Sequence, residues 1–323
     1  MSHVLVTGAN GFVGHALCRA LLGAGHTVTG LVRRAGQLES GVNEWVDVST
    51  DFADVGATWP DALQVDCVVH LAARVHVMRE ESADPDAAFR ATNVDGALRV
   101  ARAARRHGVR RFVFVSSVKA LAEGDSGRPL REDDTPMPQD AYGRSKLAAE
   151  QALSSYGEES GLDVVIVRPP LVYGPQVRAN FLRLMDAVWK GLPLPLASID
   201  ARRSLIYVEN LADALMHCAV DPRAAHQCFH VADAAAPTVA ELARLLARHL
   251  QKTARLLPVP LGLLHLAGRL TGRSAHVDRL VGALQLDTAR IRTTLGWQPP
   301  YSTDEGLAET ARWYRSTHGG RAC

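Results

Sequence analysis

The chain has 323 residues, room for one large domain or two modest ones, and its 47% hydrophobic and 22% charged content is ordinary for a globular protein. A formal net charge of +2 carries no signature of a nucleic-acid or membrane partner, so neither is expected. No stretch reaches about 18 uninterrupted apolar residues, a strand pattern beginning at His3 leaves no room for a signal peptide, and five scattered cysteines (Cys18, Cys67, Cys218, Cys228, Cys323) without C-x-x-C fit reduced thiols in a cytoplasm.

Short β-branched runs alternate with helical stretches through the first two-thirds of the chain. VLVT (4–7) leads into a helix at 12–23; TVTGLVR (27–33) and WVDV (45–48) follow. CVVHLA (67–72) precedes a helix near 86–107, whose basic residues, within the run Arg99–Arg111, read as a solvated face. RFVFVSS (111–117) precedes a loop rich in Pro, Gly and acids, then a helix from Tyr142, then DVVIVRP (163–169). Runs this apolar suit strands buried on both faces, and strand–helix alternation implies an α/β, Rossmann-type, doubly wound parallel sheet. After Pro170 the pattern changes. Prolines 170, 175, 193 and 195 break it, helices at 180–190, 239–250 and 304–316 dominate, and 204–235 reads once more as strand–helix–strand. The expected organisation is a dinucleotide domain over 1–170, with 204–235 returning to it, and a smaller, mainly helical C-terminal substrate domain from 171–203 and 236–323.

Three features carry chemistry. In VLVTGANGFVGHALCRALL a strand ends at Thr7, and Gly8, Gly11 and Gly14 precede a helix. Glycines let the backbone turn sharply and approach a pyrophosphate, while the helix N-terminus offers N–H groups and a positive dipole. The spacing is G-x-x-G-x-x-G, in the strand–turn–helix setting that dinucleotide binding requires. In AYGRSKLAAEQAL (141–153), Tyr142 and Lys146 lie four apart and stack one turn above the other on a mostly apolar helix. An ammonium beside a buried phenol favours the phenolate, as a tyrosine acting as acid or base near neutral pH needs. In HQCFH, His226, Cys228 and His230 alternate and would share one face of a strand, but with no fourth ligand nearby ordinary packing is expected, and no metal.

TGANGFVG, HLAA (70–73), the helix bearing Asn93, VSS (115–117), YGRSK (142–146) and RPPLVYGP (168–175) occur in the order seen in extended short-chain dehydrogenases/reductases, which the chain resembles over nearly its whole length. The narrower likeness is to the nucleotide-sugar 4-epimerases and 4-keto reductases of surface-polysaccharide pathways, carried by RANFLRLM, GLPLPLASIDARRSLIYVENLADAL and LGWQPPYSTDEGL. The resemblance implies that Tyr142 and Lys146 are the catalytic pair and that Ser117 holds the reacting sugar oxygen. It implies cofactor contacts from Gly8, Asn10, Gly11, Phe12, Val13 and Gly14, from Asp47 and Val48 at the adenine, from Leu71, Ala72 and Ala73 near the phosphates and ribose, and from Asn93, Tyr142, Lys146 and Arg168. His70 reads as a packed strand-end histidine. On the substrate side it points to Asn180 at a helix start and Arg203 and Arg279 at the diphosphate. Where relatives carry V-Y-G after the serines, this chain has SSVKALAEG; Lys119 is then a candidate substrate contact or a solvated loop lysine. The loop 124–141 is expected to rim the site, its acids keeping it solvated.

The second strand ends GLVRR. Dinucleotide folds that prefer NAD usually place an acid there to bond the ribose 2′-OH; here Arg33 stands 19 residues past Gly14 (33 − 14), placed to pair with a 2′-phosphate. NADP(H) is therefore the expected preference, with NAD(H) as the second possibility. A reductase, which must exchange spent cofactor, suits NADP(H); an epimerase is better served by NAD that stays bound. The sequence thus favours C4 reduction of a UDP-4-keto-6-deoxy-N-acetylhexosamine. The alternative is a UDP-glucose or UDP-N-acetylglucosamine 4-epimerase with tightly held NAD, and a remote third reading is a non-catalytic dinucleotide-binding regulator. A homodimer is compatible with all three.

Overall fold

The computed structural model describes residues 1–75, 84–272 and 274–318. The N-terminal run is β1 (His3–Thr7), α1 (Phe12–Gly23), β2 (Thr27–Val32), β3 (Asn43–Val46) and β4 (Cys67–His70). Then come α2 (Pro85–Arg90), a π-helical stretch at Ala91–Gly96, α3 (Ala97–Arg106), β5 (Arg111–Val115), α4 (Ala141–Ser160) and β6 (Asp163–Arg168). The remainder is β7 (Leu171–Tyr173), α5 (Ala179–Trp189), β8 (Leu205–Tyr207), α6 (Val208–Val220), β9 (Cys228–His230), α7 (Val239–Leu250), α8 (Leu261–Leu270), α9 (Ser274–Val281), α10 (Ala289–Leu295) and α11 (Thr303–His318).

Among the described residues, seven strands form one parallel sheet in the order β3–β2–β1–β4–β5–β6–β9. Strand periodicity divides the core. Val4 and Val6 pack with Leu17 and Leu21 of α1 and Leu211 and Leu215 of α6 on one face. Leu5 packs with Val68, Phe112 and Phe114, Val100 of α3 and Leu153 of α4 on the other. The chain winds outwards both ways from β1 and β4, so the strand order reverses between them, and a crevice opens there at the strands' carboxyl ends.

The return of the chain after β6 has two parts. β8 pairs with β7 in a separate two-stranded parallel sheet, whereas β9 joins the main sheet beside β6. Buried Asp233 links these parts, accepting from the Tyr173 hydroxyl (2.7 Å), the Tyr207 amide (3.0 Å) and the Asn210 side chain (2.7 Å). The arginines of α3 face solvent as expected. Arg111, the last residue of that basic run, is instead buried at the start of β5 and donates to the carbonyls of Ala219, in the last turn of α6, and Asp221, just past it.

The alternation in HQCFH stops at Cys228. His226 precedes β9 with φ 60° and pairs outwards with Asp163 at 3.3 Å, whereas the ring of buried His230 turns to the Leu130 carbonyl. The two imidazoles therefore do not share a face, and among the described residues no group of three His, Cys, Asp or Glu is arranged to hold a metal ion. Cys323 lies outside the described residues.

Candidate active site

The crevice is floored by the glycine turn. Gly8 adopts φ +70°, and a Cβ there would stand 3.0 Å from the Ala72 amide nitrogen, so the turn after β1 presses against the segment after β4. At Gly14 a Cβ would fall 2.2 Å from the Gly8 carbonyl oxygen, so only glycine lets α1 begin this close to the turn. Gly11 caps α1 without a side chain, and the first turn of the helix holds no acid. This is a backbone cradle suited to a diphosphate, with Asn10, Phe12 and Val13 in it and Leu71, Ala72 and Ala73 as its opposite wall. The residues present thus fit a dinucleotide. Arg33 is exposed just past β2; Asp47 and Val48 lie just past β3, Val48 largely exposed, Asp47 buried and accepting from the Ser49 amide and hydroxyl.

The elements that follow β5 and begin α4 bring Ser117, Tyr142 and Lys146 together. Ser117 caps a short turn at Val118–Ala120, and its hydroxyl hydrogen-bonds the Tyr142 phenol. Asp140 caps α4 by accepting from the Gly143 amide at 2.7 Å, which fixes where the helix starts and so where Tyr142 points. Gly143 has a reason to be glycine: a Cβ would meet the Lys119 carbonyl oxygen at 2.4 Å. Lys146 is 2% exposed, donates to the Val115 carbonyl at 2.9 Å, and lies 4.6 Å from the Phe114 ring centre and 5.9 Å from that of Tyr142.

The electrostatics of this cluster differ from the expected pairing. Burial pushes the Tyr142 phenol up to about 12, Asp140 adds to the rise, and the Ser117 hydrogen bond opposes it. Lys146 is brought down to about 7 by burial, with the Glu150 carboxylate pulling the other way. The expectation that Lys146 sets a low phenol pKa is thus corrected for the protein alone: burial and Asp140 raise the phenol, and what opposes them is the Ser117 hydrogen bond. His70 is the packed strand-end residue the sequence suggested. It is fully buried, bonded to Thr7 Oγ1 at 2.9 Å, stacked on Phe112, and depressed to about 3 by burial and by Lys146.

Three predicted contact residues hold partners within the protein. Asn93 is 1% exposed in the π-helical stretch; its carbonyl accepts from the Arg74 amide (2.8 Å), and its NH2 donates to the Arg74 carbonyl (3.1 Å) and to Ser145 Oγ (2.9 Å). Ser145 in turn donates to the Tyr142 carbonyl at 2.7 Å, so Asn93 ties the loop after β4 to the first turn of α4 rather than reaching outwards. Arg168 commits its guanidinium to Glu150 (2.9 and 2.6 Å) and to the Glu132 carbonyl (3.1 Å), an inward-facing buried ion pair. Lys119 is half-buried and ion-paired rather than free in solvent: its ammonium pairs with Asp140 at 2.6 Å and Glu123 at 3.3 Å. The loop 124–141 also departs from expectation. Glu132 is buried against the His230 amide and Asp125 accepts from Gln285, so these acids bind the loop down instead of solvating it.

On the substrate side, Asn180 is exposed in the first turn of α5. Arg203 donates to the Gly282 carbonyl at 2.6 Å, just past α9. Arg279 belongs to α9, so its segment and that of Arg203 are joined, while its side chain lies outside the described residues. The sequence reading passed over Asp140, Ser116 and Glu150. Ser116 donates to Glu150 at 2.5 Å, and Glu150 stands one turn beyond Lys146, a spacing that was readable once the helix was assigned.

Residues 4–232 match the model of the NAD dependent epimerase/dehydratase family. A UDP-glucose 4-epimerase of Vibrio cholerae is 41% identical over 315 residues, 96% of this chain and 94% of that protein. The crystal structure of a UDP-glucose 4-epimerase with UDP-glucose from Thermotoga maritima shares the fold, with TM-score 0.79 at 23% identity over 98% of this chain and 99% of that one. That of a Thermus thermophilus UDP-glucose 4-epimerase with NAD superposes with TM-score 0.75 at 25% identity over 97% and 99%.

Proposed function

The chain belongs to the NAD dependent epimerase/dehydratase family, and on that premise we propose that it inverts C4 of a UDP-sugar, of UDP-glucose or UDP-N-acetylglucosamine type, using NAD that stays bound. The observation that carries this reading is the meeting of Ser117, Tyr142 and Lys146 at the same end of the parallel sheet as the glycine turn, in a chain 41% identical over nearly its full length to a UDP-glucose 4-epimerase. The 4-keto reductase favoured by sequence gives way to the epimerase, which these relatives support better. The NADP(H) preference rested on Arg33; NAD, named in the family's description, is the better-supported cofactor.

When bound, the nicotinamide supplies the acceptor and donor of hydride. Tyr142 takes the proton of the C4 hydroxyl as that carbon is oxidised and returns it when the carbon is reduced on its other face. Ser117 hydrogen-bonds the same oxygen and favours the phenolate, burial and Asp140 oppose it, and Lys146, 5.9 Å from the Tyr142 ring centre, would favour the phenolate in its charged form. Asn93, Asp140 and Glu150 position these groups through Ser145, the α4 cap and Lys146. The glycine turn, Arg33, Asp47 and Val48 would hold the dinucleotide. Asn180, Arg203 and Arg279 would hold the UDP diphosphate, Arg203 with a guanidinium suited to two phosphate oxygens. Residues 1–170 with 204–235 would form the dinucleotide part, and 171–203 with 236–323 the substrate part. The test is incubation with UDP-glucose, UDP-galactose and their N-acetyl counterparts without added cofactor. Interconversion of C4 epimers supports the reading. Turnover only with a 4-keto sugar and added NADPH returns the reductase.

A further inference from the structure

Helix α8, LGLLHLAGRL, is turned inside out relative to an ordinary surface helix. Its inner side meets α9: His265 pairs with Asp278 at 3.3 Å, and buried Gly268 sits where a Cβ would come 2.8 Å from Val277 Cγ2. Its outer side carries Leu263, Leu266 and Leu270, three and four residues apart and therefore on one stripe. They are 57%, 52% and 79% exposed. Leu257, before the helix, is exposed as well. A stripe of leucines facing outwards is a surface that something covers.

The charge around it says what. From the segment before α8 to Asp278 the sequence holds no acid, but it holds Arg255 and Arg269; the arginines of α7 lie elsewhere, Arg248 pairing with Asp304. Arg269, on α8 between Leu266 and Leu270, is exposed, as is Arg255, two residues before exposed Leu257, and Asp278 of α9 is engaged by His265. A second copy related by a two-fold axis through α8 would set like charges against each other. An anionic lipid surface meets both features, apolar side chains entering the headgroup boundary and arginines lying over phosphates. No described helix is long and apolar enough to cross a bilayer, so the contact lies on the surface.

We propose that the α8 face, with Leu263, Leu266 and Leu270 inserted and Arg255 and Arg269 at its edge, docks the protein on anionic membranes. The full chain is sedimented with vesicles of phosphatidylcholine alone or of an equimolar mixture with phosphatidylglycerol. With two arginines at the surface, binding to the anionic vesicles is expected to be about thirtyfold tighter. Leu263→Ser/Leu266→Ser/Leu270→Ser should release the protein while UDP-sugar turnover stays as in wild type, since the stripe lies on the side of α8 opposite its contact with α9. Arg255→Glu/Arg269→Glu, which leaves the leucines in place, should remove the preference for anionic lipid. Wild type remaining in solution with both vesicles, equal binding to both, or the serine variant binding like wild type would overturn the proposal. So would a serine variant that turns a lipid-free dimer into a monomer, which would assign the face to a second copy.

Discussion

Replacing Lys146 by methionine should abolish turnover and yet stabilise the nucleotide-free protein, by an amount that depends on pH. Burial takes the ammonium from its ordinary 10.5 to about 7, and at about 1.4 kcal/mol for each tenfold loss in proton affinity this costs about 5 kcal/mol when the group is charged. The unfolded chain keeps this proton up to about pH 10.5 and the folded chain loses it above about 7. Unfolded protein therefore binds more protons across that window, the penalty is complete below pH 7, and it fades as pH rises. It is about 4 kcal/mol at pH 7 and about 2 kcal/mol at pH 9. Lys146→Met escapes the penalty but forfeits the bond to the Val115 carbonyl and the contact with Phe114. A net gain of about 1–3 kcal/mol at pH 7 is expected, smaller by about 2 kcal/mol at pH 9. Urea unfolding of stripped wild type and variant at both pH values, with unchanged m, measures this. A stability difference that is the same at pH 7 and 9, or that widens, would refute the assignment of a strained buried ammonium.

Tyr142→Phe loses only the phenol oxygen, so nucleotide content and melting should hold while kcat falls about 10²–10⁴-fold, as for other positioned proton donors. Gly14→Ala places a Cβ 2.2 Å from the Gly8 carbonyl, and protein purified with this change should carry little nucleotide by absorbance of the acid-released fraction; full occupancy would contradict the cradle. Arg203→Ala should raise KM for the UDP-sugar about 10–100-fold, the loss of one charge-assisted contact, with nucleotide content unchanged. A change confined to nucleotide affinity would move Arg203 to the other ligand.

Much of the architecture was legible because its causes are local. Two-face burial makes β1, β5 and β6 read as continuous apolar runs, and the Gly8–Gly14 turn can be recognised because nothing but glycine fits there. The trio was legible from helical spacing and family likeness. What escaped the sequence depends on partners brought together from far along the chain. Asn93 looks like a contact residue until the π-helical stretch turns it towards Ser145, 52 residues away. Arg168 and Glu150 lie on different elements and neutralise each other inside the protein. Lys119 was weighed against solvent, whereas Asp140 and Glu123 pair with it. Chain-wide net charge averages away the acid-free stretch around α8, and nothing in LGLLHLAGRL says which side of that helix the fold leaves open.

The most direct test of the central claim uses UDP-glucose carrying deuterium at C4, supplied to the purified enzyme with no added nucleotide. An epimerase that recycles its own NAD returns the same hydrogen to the same carbon, so NMR should show UDP-galactose with the C4 deuterium retained and no net nicotinamide oxidation or reduction. The N-acetylated sugar should be run in parallel. Absence of any C4 epimer from either sugar, or product that forms only with added NADPH and carries hydrogen from it at C4, would contradict the account.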